Sequence, residues 1–131
     1  IGQNIKFDFI VLYKQGIKMN SMEDTMLMSY VLDAGKNRHN MDTLSEIHLK
    51  HKTITFKEMV GTGKKEINFS EVELQKAMEY AAEDADITYR LYKIFNKNLK
   101  AEKLTNIYEV FEKPLIEILA FMEIEGIKID S

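Results

Sequence analysis

The side chain most able to do chemistry in this sequence is the carboxylate of Asp84, which lies in a predicted helix at residues 70–97. Positions three or four residues away share its helix face, and nearly all are small or apolar: Ala77, Ala81, Thr88, Leu91 and Phe95. A carboxylate buried among such residues is unfavourable, so Asp84 requires a basic partner, a raised pKa or a metal ion. Tyr80, one turn earlier on that face, places a phenol beside the acid.

Simpler interpretations apply to these acids and to their neighbours. Asp84 could form an ion pair with a basic residue elsewhere in the core, and the sequence leaves that open. Glu83 and Asp86 point away from the apolar face, so we expect both to be solvated. Asp8 follows Asn4 by one helical turn, and its position alone indicates a surface acid near the positive end of a helix dipole.

A helix is predicted near each end of the chain. Asn4 is a suitable N-cap for a helix that runs to about Lys14. Near the other end, residues 105–125 follow a helical pattern in which Pro114 breaks or restarts the helix. Gly126 then ends it, because glycine is favoured directly after a helix.

Capping signals predict further helices between these two. Thr43 and Glu46 have capping-box spacing, as do Ser70 and Glu73, which would open the long helix that carries Asp84. A shorter helix is predicted at residues 26–33. The interior of the chain therefore reads as mainly helical.

Strand signals are few. Residues 1–3 fit the end of a strand, and residues 17–22 and 127–130 fit short strands. Composition and periodicity by themselves predict a helix-rich domain.

Composition excludes several classes of function. The chain has 131 residues, no cysteine and a formal net charge of −3, so disulfides, thiolate zinc sites and a cysteine nucleophile are excluded. His48 and His51 lack a third soft ligand, and we expect them to be structural or exposed. No apolar run approaches the ~18 residues of a membrane span, and no signal peptide opens the chain, which favours the cytoplasm. From the residues at its two ends, we expect the sequence to be a piece of a longer protein.

Asp8 and Asp84 lie in two short segments, GQNIKFD at residues 2–8 and YAAED at residues 80–84. These segments resemble the second and third motifs of the proofreading 3′–5′ exonuclease domain of bacterial family A DNA polymerases, and five segments in order resemble that domain. Three intervening segments are also similar: DTMLMSYVL at 24–32, MDTLSE at 41–46 and LKHKTITFKEMVGTGK at 49–64. Residues 108–130 look like the passage into the polymerase domain.

The resemblance implies roles for eight residues. Asp8 and Asp84 would bind metal, and Tyr80 would orient the attacking water or hydroxide. The remaining five residues would contact the substrate strand: Gln3, Asn4, Phe7, Arg38 and Phe56. The family often has tyrosine at the position of Phe7, so a hydroxyl contact is lost there.

The resemblance also implies a fold, cofactors and partners. The fold would be α/β and ribonuclease H-like, with residues 1–103 as the later part of the exonuclease domain and 104–131 as the junction and first elements of the polymerase domain. The complete site would use two Mg²⁺ or Mn²⁺ ions, for which carboxylate oxygens are suitable ligands. The partners would be the single-stranded 3′ end of DNA and the polymerase domain of the same chain, with no membrane.

One motif of the family is absent from this sequence. An Asp and a Glu separated by one residue form the first motif, upstream of the second, and Glu23–Asp24 and Glu83–Asp84 have the wrong order and context. We therefore expect the isolated chain to be inactive. We also expect it to expose apolar surface where the central sheet would lie.

Three other interpretations remain open. A stand-alone exoribonuclease of the same superfamily would carry similar motifs, although residues 108–130 argue against it. A degenerate exonuclease domain that braces or guides DNA is a second alternative, although Asp8 and Asp84 are both retained. Without the resemblance, a helical interaction module fits the pattern.

Overall fold

The computed structural model describes residues 1–63 and 66–128, and within them the chain is mainly helical. The α-helices are α1 (Ile5–Lys14), α2 (Thr25–Asp33), α3 (Met41–Leu49), α4 (Phe56–Val60), α5 (Leu74–Ala101), α6 (Thr105–Ile107) and α7 (Lys113–Glu125). The described residues contain no β-strand, so the strand predicted at residues 17–22 is wrong. Of the strand predicted at residues 127–130, the last two residues lie outside the described ranges. No described helix is both long and apolar enough to cross a membrane.

Both predicted capping boxes are wrong, although the helices exist. At α3 the cap is Asn40, whose side chain accepts a hydrogen bond from the Thr43 N–H (3.2 Å). The second box lies earlier than predicted, between Asn68 and Glu71 at a short 3₁₀ turn. Extended backbone at residues 72–73 separates that turn from α5, so Ser70 cannot cap the long helix.

The central helix α5 provides one side of the main core. Its residues Ile87, Leu91, Phe95 and Leu99 recur every fourth position, form one stripe and are almost completely buried. This stripe packs against buried residues of α2, α3 and the turn after α6: Met28, Leu44 and Tyr108. The first turns of α5 are different, because Leu74 is 84% exposed there. The apolar face predicted around Asp84 is thus buried toward Phe95 and open toward Ala81.

A second core joins α1 to α7. It contains Ile5, Phe9, Met22, Ile116 and Ala120, and the ring of Phe121 meets the rings of Phe9 and Tyr13 edge-on at 5.7 and 5.2 Å. Leu27 of α2 packs against both cores. The helix that carries Asp8 therefore packs against α7.

The last helical region follows the sequence closely. Pro114 lies in the first turn of α7, where its missing N–H costs no hydrogen bond, and a five-residue π-helical turn at Tyr108–Glu112 precedes it. Gly126 ends α7 with a φ of 71°. Apolar side chains are exposed along this region, among them Ile107, Val110, Phe111, Ile118 and Met122. Exposed apolar surface was expected, and its relation to a central sheet stays a prediction.

Candidate active site

Asp84 lies on the part of α5 where the buried stripe opens to solvent. Its side chain is half-buried rather than fully buried. Burial raises the pKa of the Asp84 carboxyl, and the nearby Glu83 and Asp42 raise it further, while the Tyr80 hydroxyl lowers it. Within residues 1–63 and 66–128, no basic side chain forms an ion pair with Asp84. The described part of the chain therefore does not supply the basic partner that was the alternative.

Tyr80 lies one turn before Asp84 and is also half-buried. Burial raises the pKa of the Tyr80 phenol, and the negative charge of Asp84 raises it further. The phenol thus stays protonated near neutral pH and can donate a hydrogen bond. Its ring lies 6.4 Å from Phe56 and 6.1 Å from Phe69, measured between ring centroids.

Asp8 reaches the same cavity from a different helix. It is exposed on the first turn of α1, and it lines an open cleft of about 530 Å³ together with Asp84 of α5. We call this cavity the acidic cleft; the residues that line it include Gly2, Gln3, Asp8, Asp84, Thr88 and Tyr89. The structure thus brings together the two carboxylates that lie 76 positions apart in sequence.

Residues 2–4 form a tight turn at the edge of the acidic cleft. The side chain of Gln3 donates to the His39 carbonyl (2.7 Å) and accepts from the Thr25 hydroxyl (2.5 Å). Asn4 precedes α1 with a φ of 59°, a left-handed conformation that asparagine tolerates, and its side chain makes no cap hydrogen bond. The prediction of Asn4 as a capping side chain is therefore wrong. Asn4 is exposed to solvent, and its side-chain amide is therefore accessible.

The other predicted substrate contacts, Phe7, Arg38 and Phe56, are not among the residues that line the acidic cleft. Phe7 is exposed on the first turn of α1, with 66% of its surface accessible. Phe56 is 52% exposed at the start of α4, and its ring stacks on Phe69 with centroids 5.9 Å apart. Arg38 is exposed in the loop between α2 and α3. Sequence reasoning missed Phe69, because an aromatic residue beside a capping signal resembles an ordinary loop residue.

Glu83 is not the solvated acid that the sequence predicted. Its carboxylate accepts a hydrogen bond from the Ile54 N–H (2.7 Å) and lies 2.7 Å from Nε2 of His51. The segment before α4 crosses α5 here, and its backbone N–H groups need acceptors. Asp86 is exposed and pairs with Arg90 at 3.3 Å, as expected of a surface acid. His51 has the structural role predicted for it.

Among the described residues the most deeply buried acid is Asp24, to which the sequence analysis assigned no structural role. It is 1% exposed, and its carboxylate accepts from the backbone N–H groups of Asn4, Ile5, Met26 and Leu27 at 2.8–3.4 Å. Burial raises the pKa of Asp24, while the four hydrogen bonds lower it. One side chain thus satisfies the first turns of both α1 and α2. Its position after a polar stretch and before an apolar helix was the available signal.

The donors in the acidic cleft suit a hard cation but are few. Asp8 and Asp84 offer carboxylate oxygens, which Mg²⁺ and Mn²⁺ prefer. A cation between them would offset the burial and the like charges that raise the pKa of Asp84. No group of three or more His, Asp or Glu side chains converges in the described ranges. The chain thus fits part of a metal site.

Comparison with known proteins gives consistent matches. The profile of a 3′–5′ exonuclease family matches residues 1–100. DNA polymerase I of Rhizobium leguminosarum is 47% identical over 130 residues, and those of Pseudomonas aeruginosa and Borreliella burgdorferi are 38% and 37% identical. The chain belongs to the 3′–5′ exonuclease family of bacterial DNA polymerase I. The resemblance inferred from the motifs is confirmed.

These matches cover the chain but a small part of each relative. They include 99–100% of this chain and 13–15% of the length of the three polymerases. Membership in the exonuclease family implies a ribonuclease H-like fold. The mainly helical structure is compatible with part of such a domain.

Proposed function

We propose that this chain is the later part of a proofreading domain that removes 3′-terminal nucleotides from DNA by phosphodiester hydrolysis. The observation that carries the proposal is the meeting of Asp8 and Asp84 in one cleft, with the Tyr80 phenol beside Asp84. Residues 1–103 would belong to this domain. Residues 104–131 would lead into a polymerase domain, as the DNA polymerase I relatives suggest.

Asp8 and Asp84 are the proposed metal ligands. Mg²⁺ or Mn²⁺ bound there would stabilise the negative charge that develops on the attacking and leaving oxygens. Two ions need more oxygen ligands than these two carboxylates supply, so we propose that the isolated chain is inactive. The complete domain would be α/β and ribonuclease H-like, and the described residues would supply helices of it.

Tyr80 is proposed to orient the water that attacks the phosphorus. Its raised pKa keeps the phenol protonated at neutral pH, so it acts as a donor and not as a base. The phenol interacts with Asp84, and Asp84 lines the acidic cleft. The rings of Phe56 and Phe69 lie beside the Tyr80 ring and brace it.

The single-stranded 3′ end is proposed to enter along the rim formed by residues 3–7. Gln3 lines the acidic cleft, the exposed amide of Asn4 is available for hydrogen bonds, and Phe7 presents an uncovered ring. Further along the strand, the exposed Phe56 would stack on a base, which needs no particular sequence. Arg38 would contact a phosphate from the loop after α2.

The test is Asp84→Asn in the polymerase that contains this chain. We expect trimming of a 3′-labelled single-stranded oligonucleotide with Mg²⁺ to fall by at least about 100-fold, with polymerisation retained. Asp86→Asn is the matched control, because Asp86 lies two residues away, is exposed and pairs with Arg90. Unchanged trimming by Asp84→Asn would reject the site.

A degenerate domain that braces DNA is the second candidate. It is favoured by one observation, namely that no group of three or more His, Asp or Glu side chains in residues 1–63 and 66–128 is placed to hold a metal ion. In that case the unmodified polymerase would fail to trim a single-stranded 3′ end at any Mg²⁺ or Mn²⁺ concentration. An RNA substrate trimmed in preference to DNA would instead favour a ribonuclease.

A further inference from the structure

A buried polar network links the turn before α7 to the start of α2. Tyr108 is 1% exposed, and its hydroxyl accepts a hydrogen bond from the Asp24 N–H (3.0 Å) and donates one to Glu23 (2.9 Å). The second oxygen of Glu23 accepts from Lys113 Nζ at 2.5 Å, and Lys113 also contacts Glu109 at 3.0 Å. The Tyr108 hydroxyl and the Glu23 carboxylate thus both bond to residues distant in sequence.

The network ends at the segment that leads into the acidic cleft. The Asp24 carboxylate holds the N–H groups of Asn4 and Ile5, the first residues of the α1 region. Residues 2–5 are thereby joined to residues 23–25, and we call this contact the joint. Two backbone hydrogen bonds add to it: the Gly2 N–H donates to the Glu23 carbonyl (2.8 Å), and the Thr25 N–H donates to the Gly2 carbonyl (2.9 Å). A Cβ at Gly2 would lie 2.9 Å from the Ile5 side chain, so the joint leaves no room for a larger residue.

The same helix α7 also packs directly on α1. Ile116 and Ala120 lie in one core with Ile5 and Phe9 of α1. An ion pair between Lys6 and Glu123 joins the two helices at the surface. The position of α1, and with it of Asp8, therefore depends on the segment that follows α5.

We infer that Tyr108 and Lys113 are positioning residues for the exonuclease site, which act through Glu23 and Asp24 on the start of α1. This inference rests on the proposed function. Neither residue lines the acidic cleft, and neither contacts Asp8, Tyr80 or Asp84 in the hydrogen bonds of this network, so both would act through other residues. Loss of the Tyr108 hydroxyl leaves the buried Asp24 N–H without its acceptor, and the joint between residues 2–5 and 23–25 shifts to find another. Catalysis tolerates such a shift poorly, because the reacting groups need near-exact geometry.

The test is Tyr108→Phe in the polymerase that contains this chain. We expect kcat for trimming to fall about 10-fold, because a fraction of an ångström at Asp8 disturbs metal binding. The midpoint of the Mg²⁺ titration should move to higher concentration, while KM for DNA and the rate of polymerisation stay unchanged. Tyr92→Phe is the matched control, because the Tyr92 hydroxyl contacts Asn96 of its own helix (3.3 Å). It should behave as the unmodified enzyme does.

A purely structural role predicts a different result. In that case Tyr108→Phe would lower the melting temperature, yet at temperatures well below melting the Mg²⁺ midpoint and kcat would match the unmodified enzyme, which would overturn the inference. If Tyr108→Phe does not fold, Lys113→Met, which keeps the aliphatic stem, should shift the Mg²⁺ midpoint in the same direction. An unchanged midpoint in Lys113→Met would then overturn it.

Failure of the underlying proposal is distinguishable from failure of this inference. If Asp84→Asn trims at the unmodified rate, the proposed site itself is wrong. If Asp84→Asn abolishes trimming while Tyr108→Phe leaves both kcat and the Mg²⁺ midpoint unchanged, the site stands and the positioning role is wrong.

Discussion

Asp24 and Asp84 are both aspartates, but they differ in burial and in the groups that surround their carboxylates. Asp24 is buried and accepts four backbone hydrogen bonds from the first turns of two helices. Asp84 is half-buried, receives one contact from the Tyr80 phenol and lies near two further acids, Glu83 and Asp42. Burial raises the pKa of both side chains, so burial alone does not distinguish them.

The difference lies in what satisfies each charge. The backbone donors around Asp24 are part of the fold, and the negative charge also suits the positive ends of two helix dipoles. The acidic neighbours of Asp84 add negative charge, which disfavours its ionised form, and a cation bound in the acidic cleft would offset this effect. An acid supplied with backbone donors holds the structure together, whereas an acid short of donors is available for chemistry.

The largest effect should come from Asp84→Asn. Neutralising this ligand should lower trimming by on the order of 10²–10³-fold, because it removes part of the metal stabilisation of the transition state. Single-turnover trimming of a 3′-labelled oligonucleotide by the complete polymerase measures this. The same substitution at Asp24 should reduce trimming less than at Asp84. A larger loss of trimming in Asp24→Asn than in Asp84→Asn would contradict the distinction between the two acids.

Asp24→Asn should instead lower stability. An amide cannot accept all four hydrogen bonds, and its N–H₂ group would face a backbone N–H, so the free energy of unfolding should fall by about 1–3 kcal/mol. Urea denaturation followed by circular dichroism measures the change. An unchanged midpoint of unfolding would show that the shared cap of α1 and α2 is not a structural requirement.

Tyr80→Phe should have an intermediate effect on activity. One hydrogen-bond donor is lost while the ring can still pack on Phe56 and Phe69, so trimming should fall by roughly 10-fold. Phe69→Leu should separate bracing from chemistry, because it loosens the ring of Tyr80 but keeps its hydroxyl. A loss from Phe69→Leu as large as that from Tyr80→Phe would assign the effect to ring placement.

The smallest effect concerns the pH dependence of stability. The raised pKa of Asp84 means that the folded chain binds this proton more tightly than the unfolded chain, so the free energy of unfolding falls as pH rises through that pKa. Without metal at pH 7, Asp84→Asn should therefore raise the melting temperature by on the order of 1–2 °C. The gain should vanish at a pH below the ordinary pKa of an aspartate. An equal shift in Asp86→Asn would contradict this assignment.

Local sequence signals predicted several helices well. The predicted bounds of α1 and α2 lie within one residue of the observed ones, Pro114 lies in the first turn of α7, and Gly126 ends that helix. The misplaced caps show the limit of such signals. Ser70 has the right spacing to Glu73, yet the chain turns extended after the 3₁₀ turn, and nothing local marks that change.

The sequence by itself determined the family, the positions of the motif residues and the apolar stripe of α5. Those features depend on residue type and on spacing within one segment. The tertiary structure alone decided which acids are held by hydrogen bonds of the fold. Glu83 bonds with Ile54 and His51, and Asp24 bonds with Asn4 and Tyr108. These partners are separated by 20 to 84 positions in sequence. Hydrogen-bond partners of that separation leave no periodic trace in sequence. Whether a carboxylate supports the structure or remains available for a metal ion is therefore decided by packing.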